Sequence, residues 1–236
     1  MHRIALDIDP VAYIRNILND PVPDPVQAVV LAELGGAESI VCYLRDDLKT
    51  VSLRDVKLFR QIVKTYLNVR SNLTEENLKT LLQLKPDMVT IVAPGDVNSV
   101  IPVTVNLELQ NPLLHDYITR FRASNILTSV FIEPEMSQIK LAGKLEFDYI
   151  ELNASGLNSI DDMSGEMDLL EEIAGIVMAA NKMGMGVNIS GNIGFENMKE
   201  LAAIEYLEDI IVGKPLLNRA LAIGFEQAVR DIIALI

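Results

Sequence analysis

The chain has no tryptophan, one cysteine and two histidines in 236 residues, and aromatic residues make up only 5% of it. The lone cysteine, Cys42, excludes an internal disulfide and argues against a cysteine-built metal site. His2 falls before the first apolar run and His115 inside a helical stretch. Neither stands at a strand end where a proton shuttle would work near neutral pH, and histidine ligation of a metal is equally unsupported. Positive charge is also scarce: 20 Lys+Arg against 33 Asp+Glu give a formal net charge of −13. That balance argues against a nucleic-acid partner, because a phosphate backbone rewards lysine and arginine. A small phosphorylated ligand stays open, since local field counts for more than the sum. No apolar run reaches ~18 residues, so no membrane span is expected. The opening "MHRIALDID" carries charge too often for a secretory signal. These absences lead us to expect a cytoplasmic protein with no metal or cofactor and no membrane partner.

What is present is an alternation. Half the residues are hydrophobic, enough for a substantial core. Short β-branched runs predict strands at 4–8, 39–44, 67–70, 88–92, 127–132, 149–152, 186–189 and 209–212. Between them, apolar residues recur at helical spacing. "PVQAVVLAELGG" starts at Pro25 and stops at Gly35–Gly36, and Ser52 and Thr74 stand as N-caps of the next two helices. The last helical stretch, "PLLNRALAIGFEQAVRDIIALI", reads as one helix. Strands without a polar face, each followed by a helix, imply a parallel sheet. Eight such units, with no Pro/Gly/Ser linker, favour a closed (β/α)8 barrel, a TIM barrel, over an open doubly wound sheet. We expect one α/β domain spanning residues 1–236.

In such a barrel the strand C-terminal ends converge on a mouth. It would gather Asp7, Asp9, Tyr43, Arg45, Asp46, Arg70, Asn72, Asp96, Glu133, Glu151, Asn153, Asn188, Ser190, Asn192 and Lys214. Arg45, Arg70 and Lys214 would put three cations in the concave end of an acidic chain. Arg45 reads as an anion contact, with Asp46 either orienting it or lying on the surface. "IIVGKPLLNRAL" places Gly213 and Lys214 between the last strand and a proline-started helix, and "NISGNIGFENMKE" places Gly191 and Gly194 after the seventh. Loops of this kind after strands seven and eight cradle phosphate in some barrels, and elsewhere the glycines only make tight turns. Two long polar stretches, 93–111 and 153–165, are either lids or ordinary surface decoration.

Nearly the whole chain resembles the pyridoxine 5'-phosphate synthase family. The resemblance runs from "LDIDPVAYIRN" through "PDPVQAVVLAELGGAESIVCYLRDD", "SLRDVKLFRQ", "LNVRSNLTEENLKTLLQLKPDMVTIV" and "SVFIEPEMSQIKLAGKLEFDYIEL" to "MGVNISGNIGFENMKELAAI" and "IIVGKPLLNRALAIGFEQAV". It implies a metal-free barrel that joins 1-deoxyxylulose 5-phosphate to 3-amino-2-oxopropyl phosphate, closes a pyridine ring, and assembles as a homo-oligomer. It also implies catalytic histidine, glutamate and histidine where this chain has Tyr43, Arg70 and Gly191. The family's early "NIDH" is "DIDP" here, and its strand-four loop is not matched by "VIPVT". Binding positions persist: Asp9, Arg15, Arg45, Glu151 and Asn188 for the ligand, and Gly194, Gly213 and Lys214 for its phosphate. An arginine at position 70 inverts the local charge without an obvious compensation. Tyr43 donates a hydrogen bond but is a poor base with a pKa near ~10. Three readings follow. One is a divergent barrel that binds a phosphorylated small molecule without the usual ring closure. The others are a synthase with relocated acid–base groups, drawn from Asp9, Glu151 and Lys214, and a non-catalytic paralogue acting as an assembly partner.

Overall fold

The computed structural model describes residues 2–95, 99–109, 112–159 and 163–236. Eight strands, β1 (Arg3–Asp7), β2 (Ser39–Tyr43), β3 (Tyr66–Ser71), β4 (Met88–Ile91), β5 (Leu127–Ile132), β6 (Tyr149–Asn153), β7 (Gly186–Ser190) and β8 (Leu207–Val212), pair in parallel and in sequence order. β8 returns to pair with β1, Ala5 opposite Ile211, so the sheet closes into the (β/α)8 TIM barrel that the alternation predicts. Around it run α1 (Asp9–Leu18), α2 (Pro25–Gly35), α3 (Leu53–Ile62), α4 (Glu75–Leu84), α5 (Leu113–Ala123), α6 (Met136–Lys144), α7 (Met163–Lys182), α8 (Met198–Ala202), α9 (Lys214–Ile223) and α10 (Phe225–Ile233).

Alternate strand residues explain the two layers. Ile4 and Leu6, Ile40 and Cys42, and Ile150 and Leu152 point outward and join the core between strands and helices. Full burial of each aliphatic side chain contributes about 1.5–3 kcal/mol. The inward set differs. Ala5, Val41 and Ile211 form a small apolar cluster of their own, whereas Asn68, Thr90, Ser129, Glu151 and Asn188 make the β3–β7 side of the lumen polar and fully buried. Barrel interiors are usually filled with branched aliphatics, so this chain keeps hydrogen-bonding groups deep inside.

Local signals fix the helix starts. The Asp24 carboxylate accepts from the amide of Val26 at 3.0 Å. Ser52 and Asp55 make a reciprocal capping box, Ser52 N donating to Asp55 Oδ2 at 2.8 Å and Asp55 N to Ser52 Oγ at 3.2 Å. Pro10 sits in the first turn of α1, where it needs no amide partner. One expectation needs correction: the last helical stretch is two helices, since Gly224 at φ 87° turns the chain between α9 and α10. Among the described residues no helix is long and apolar enough to cross a membrane.

Candidate active site at the barrel mouth

Arg70 is the largest fully buried side chain, 1% exposed, and it crosses the lumen from β3. Its Nη2 donates to Glu151 Oε1 on β6 at 2.6 Å, its Nε to the same carboxylate at 3.1 Å, and its Nη1 to Asp7 Oδ2 on β1 at 2.7 Å. Ser190 on β7 adds a hydroxyl to Glu151 Oε1 at 2.6 Å. Burial works against the guanidinium charge, but Glu151 and Asp7 outweigh it and hold its pKa above the ordinary value. Arg70 is therefore a clamp fastening four strands, and neither it nor Glu151 projects a spare charge into the mouth. The three free cations expected there are reduced accordingly.

Arg45 is spoken for as well. Its Nε and Nη2 donate to the two oxygens of Asp47, each at 2.8 Å, and its guanidinium lies 5.3 Å from the centroid of the Tyr43 ring. Asp47, not Asp46, orients it. Asp46 instead accepts from Asn72 and Asn77, both at 2.8 Å, which ties the β2 and β3 loops together. The tyrosine packs with Val92 and Phe131. Its hydroxyl pKa is raised, by burial above all, so even less phenolate is available near neutral pH to act as a base than in a free tyrosine. Asp9 is buried and accepts from the amide of Tyr43 at 2.9 Å, while its own amide donates to Asp7 at 3.0 Å. Burial first, then the neighbouring Asp7 charge, push the Asp9 pKa well above the usual carboxylate range.

Two proposed ligand contacts lie elsewhere. Asn188 sits lower in the barrel: its Oδ1 accepts from the amide of Asp209 within β8 at 3.3 Å, and its Nδ2 lies 3.9 Å from Sδ of Met88, the first residue of β4. Ser190, two residues on and on the same face, is the β7 group that reaches the clamp. Arg15 pairs at 2.8 Å with Asp55, the capping carboxylate of α3. The Gly194 loop is not an open cradle: a Cβ there would fall 2.2 Å from Glu196 Oε1, so an acidic side chain lies across it, and α8 beyond is only five residues long. Gly213 caps α9 and packs tightly on β1, where a Cβ would meet Asp7 Cβ at 3.1 Å, and Lys214 is exposed beside it. Glu133 accepts from Thr104 and Asn153, each at 2.9 Å. With the Ala93–Val103 bridge, this pins the described part of the 93–111 loop to the rim. Asp96 lies outside the described residues. Among the described residues no group of three or more His, Cys, Asp or Glu side chains is placed to hold a metal ion.

Residues 4–236 match the family described as "Pyridoxal phosphate biosynthesis protein PdxJ". The chain belongs to this family. It is 35% identical to the pyridoxine 5'-phosphate synthase of Pelobacter propionicus and 34% to that of Prochlorococcus marinus, covering all of this chain and 99% of each relative. A thiamine phosphate pyrophosphorylase from Pyrococcus furiosus (TM-score 0.64, 16% identity, 99% of this chain and 94% of that one) shares the fold. So does KGPDC from Streptococcus mutans (TM-score 0.65, 12% identity, 100% and 97%).

The Arg70 charge, expected to stand without compensation, is matched: Asp7 on β1 supplies a second carboxylate beside Glu151. Sequence reasoning named Asp7 but missed its partner, 63 residues away. Gly191 is set by a close backbone approach. Its φ is +120°, and a Cβ would lie 2.4 Å from Ser155 N and 2.9 Å from Ala154 N. The β7 turn presses directly on the end of β6, leaving no room for a side chain in this conformation.

Proposed function

We propose that this PdxJ-family barrel is a cytoplasmic binder of a phosphorylated small molecule, held at the strand C-terminal face by Gly213, Lys214 and the first amides of α9, and that ring-closing condensation is not its reaction. The observation that carries the second half is the Arg70 clamp. A base must reach a substrate proton, and the residue at position 70 is a buried cation engaged with Glu151 and Asp7. Tyr43 under Arg45 and the side-chain-free turn at Gly191 add to it. Anion binding is supported by the helix start at Gly213, where amides and dipole favour negative charge, with Lys214 alongside. Homo-oligomer formation is part of the same proposal, supported by exposed apolar residues on α1 and α9, Ile17, Leu18 and Leu221 among them.

Complementation decides the reaction. Expressed in a vitamin B6 auxotroph, the chain is expected to give no growth on minimal medium, and growth would overturn the reading. A second reading, a synthase with relocated acid–base groups, is favoured by one observation: Asp9 is a buried carboxyl group, and its burial raises its pKa well above the usual carboxylate value. Titration with inorganic phosphate separately tests the anion site, with binding expected for the native chain and lost in Lys214→Glu.

A further inference from the structure

Outside the mouth, unmatched positive charge gathers on one helix. α3 carries Arg54, Lys57 and Arg60, and its one acid, Asp55, is fully buried and taken by Arg15 at 2.8 Å. Elsewhere on the surface arginines are matched: Arg120 pairs with Asp116 at 3.4 Å, Arg122 with Glu146 at 3.2 Å, Arg219 with Asp231 at 2.8 Å and Arg230 with Glu226 at 2.7 Å. Arg60 reaches only Asp87, at 3.9 Å, and Lys57 has no ion pair among the described residues. These cations stand without close acidic partners in a chain whose formal net charge is −13.

They border a pocket of about 290 Å³ between α3 and α4, at the small end of the range for ligand sites. Leu53, Lys57, Arg60 and Gln61 line it from α3, at the i, i+4, i+7 and i+8 spacing of one helix face. Thr80, Gln83 and Leu84 face them from α4, and no acidic side chain lines the space. Among the described residues, the side chains of Lys57, Gln61, Thr80 and Gln83 make no hydrogen bond, so the polar groups of both walls are uncommitted to the protein. The guanidinium fork and the ammonium suit a carboxylate or phosphate. The amides and the hydroxyl can serve its remaining oxygens, and the two leucines offer apolar contact. We propose that the α3–α4 groove is a binding site, separate from the mouth, for a small organic anion. Its carboxylate or phosphate group is held by Lys57 and Arg60, and its apolar body lies against a lining leucine.

Calorimetric titration of the full chain with phenyl phosphate and with benzoate tests the site, on the native protein and on Lys214→Glu, which disables the mouth. Binding of at least one probe is expected to survive Lys214→Glu. It should fall about tenfold or more in Lys57→Glu and in Arg60→Glu, as for loss of a charge-assisted hydrogen bond. Lys64→Glu, which reverses an exposed cation just past the end of α3 and outside the groove, should leave it unchanged. Binding of benzoate alone identifies a carboxylate ligand, and of phenyl phosphate alone a phosphate ester. Inorganic phosphate, with no apolar body, should bind more weakly than the better probe, and equal binding overturns the assignment of an organic anion. The proposal also fails if neither probe binds Lys214→Glu, or if binding ignores both the Lys57 and Arg60 reversals. It fails again if Lys64→Glu weakens binding as much as Lys57→Glu, since that is general attraction and not a site. Should a reversal disturb folding, Lys57→Gln carries the same expectation. The mouth reading turns on Lys214 and this one on Lys57 and Arg60, so either can fail alone.

Discussion

The barrel is closed at both ends by an arginine set between two carboxylates, and the two constructions are not equivalent. At the mouth, Arg70 is 1% exposed and holds Glu151, itself fully buried, and Asp7. At the base, Arg3 is 28% exposed and holds Asp209 at 2.6 Å and Glu208 at 3.2 Å, with its guanidinium 5.6 Å from the centroid of the Tyr66 ring. Tyr149, also at the base, lies flat on Gly186 and donates its hydroxyl to Glu208 at 3.0 Å. At the base Arg3 and Glu208 keep contact with water and only Asp209 is sealed, whereas at the mouth Arg70 and Glu151 are both sealed. The same residue types therefore make a peripheral stopper at one end and an obligatory buried network at the other. Only the second restricts what chemistry the site can do.

The difference is broken most directly by removing each arginine. Arg70→Met leaves the buried Glu151 and the half-buried Asp7 without their cation and is expected to cost about 3–5 kcal/mol in urea unfolding. Arg3→Met should cost less, about 1–3 kcal/mol, since Asp209 alone is left buried without its partner. Equal losses at the two ends would remove the distinction. The rim gives the next largest effect. Gly191→Ala forces a side chain onto a backbone at φ +120° and against Ser155 N, so a loss of about 1–3 kcal/mol is expected. A neutral result would show that the β7 turn relaxes freely, and would reopen that position to a catalytic side chain.

Much of the fold was legible because it is written locally. The runs around Ile40 and Ile150 announce doubly buried strands, and Ser52 and Thr74 mark helix starts by chemistry acting over three residues. The site was legible by composition but not by partner. Arg45 could be placed at a strand end, yet whether Asp46 or Asp47 held it turned on loop conformation. Arg70 could be placed at a strand end, but its carboxylates lie 63 and 81 positions away on other strands. Such pairings come from barrel closure, which no short window of sequence contains. Asn188 and Ser190 show the same limit at finer grain: alternation puts both inside the barrel, and only the register with neighbouring strands says which one is at the mouth.

The smallest effect sharpens the picture of the base. Burial first, then the charge of Glu208, push the Tyr149 pKa up to about 12. Tyr149→Phe removes one hydrogen bond at a partly hydrated position and should cost about 0.5–1 kcal/mol at neutral pH. The sign of the pH dependence follows from the raised value. The folded state keeps the phenol proton longer than the unfolded chain, so this contribution is complete below ~10, the ordinary tyrosine pKa, and is lost as pH rises through about 12. Native and Tyr149→Phe proteins should therefore converge in stability across that interval, while phenolate absorbance shows one tyrosine titrating late in the native chain alone. A gap that stayed constant would mean that Tyr149 is solvated like a surface residue. The base would then be more open than its hydrogen bonds suggest, and its contrast with the sealed mouth larger still.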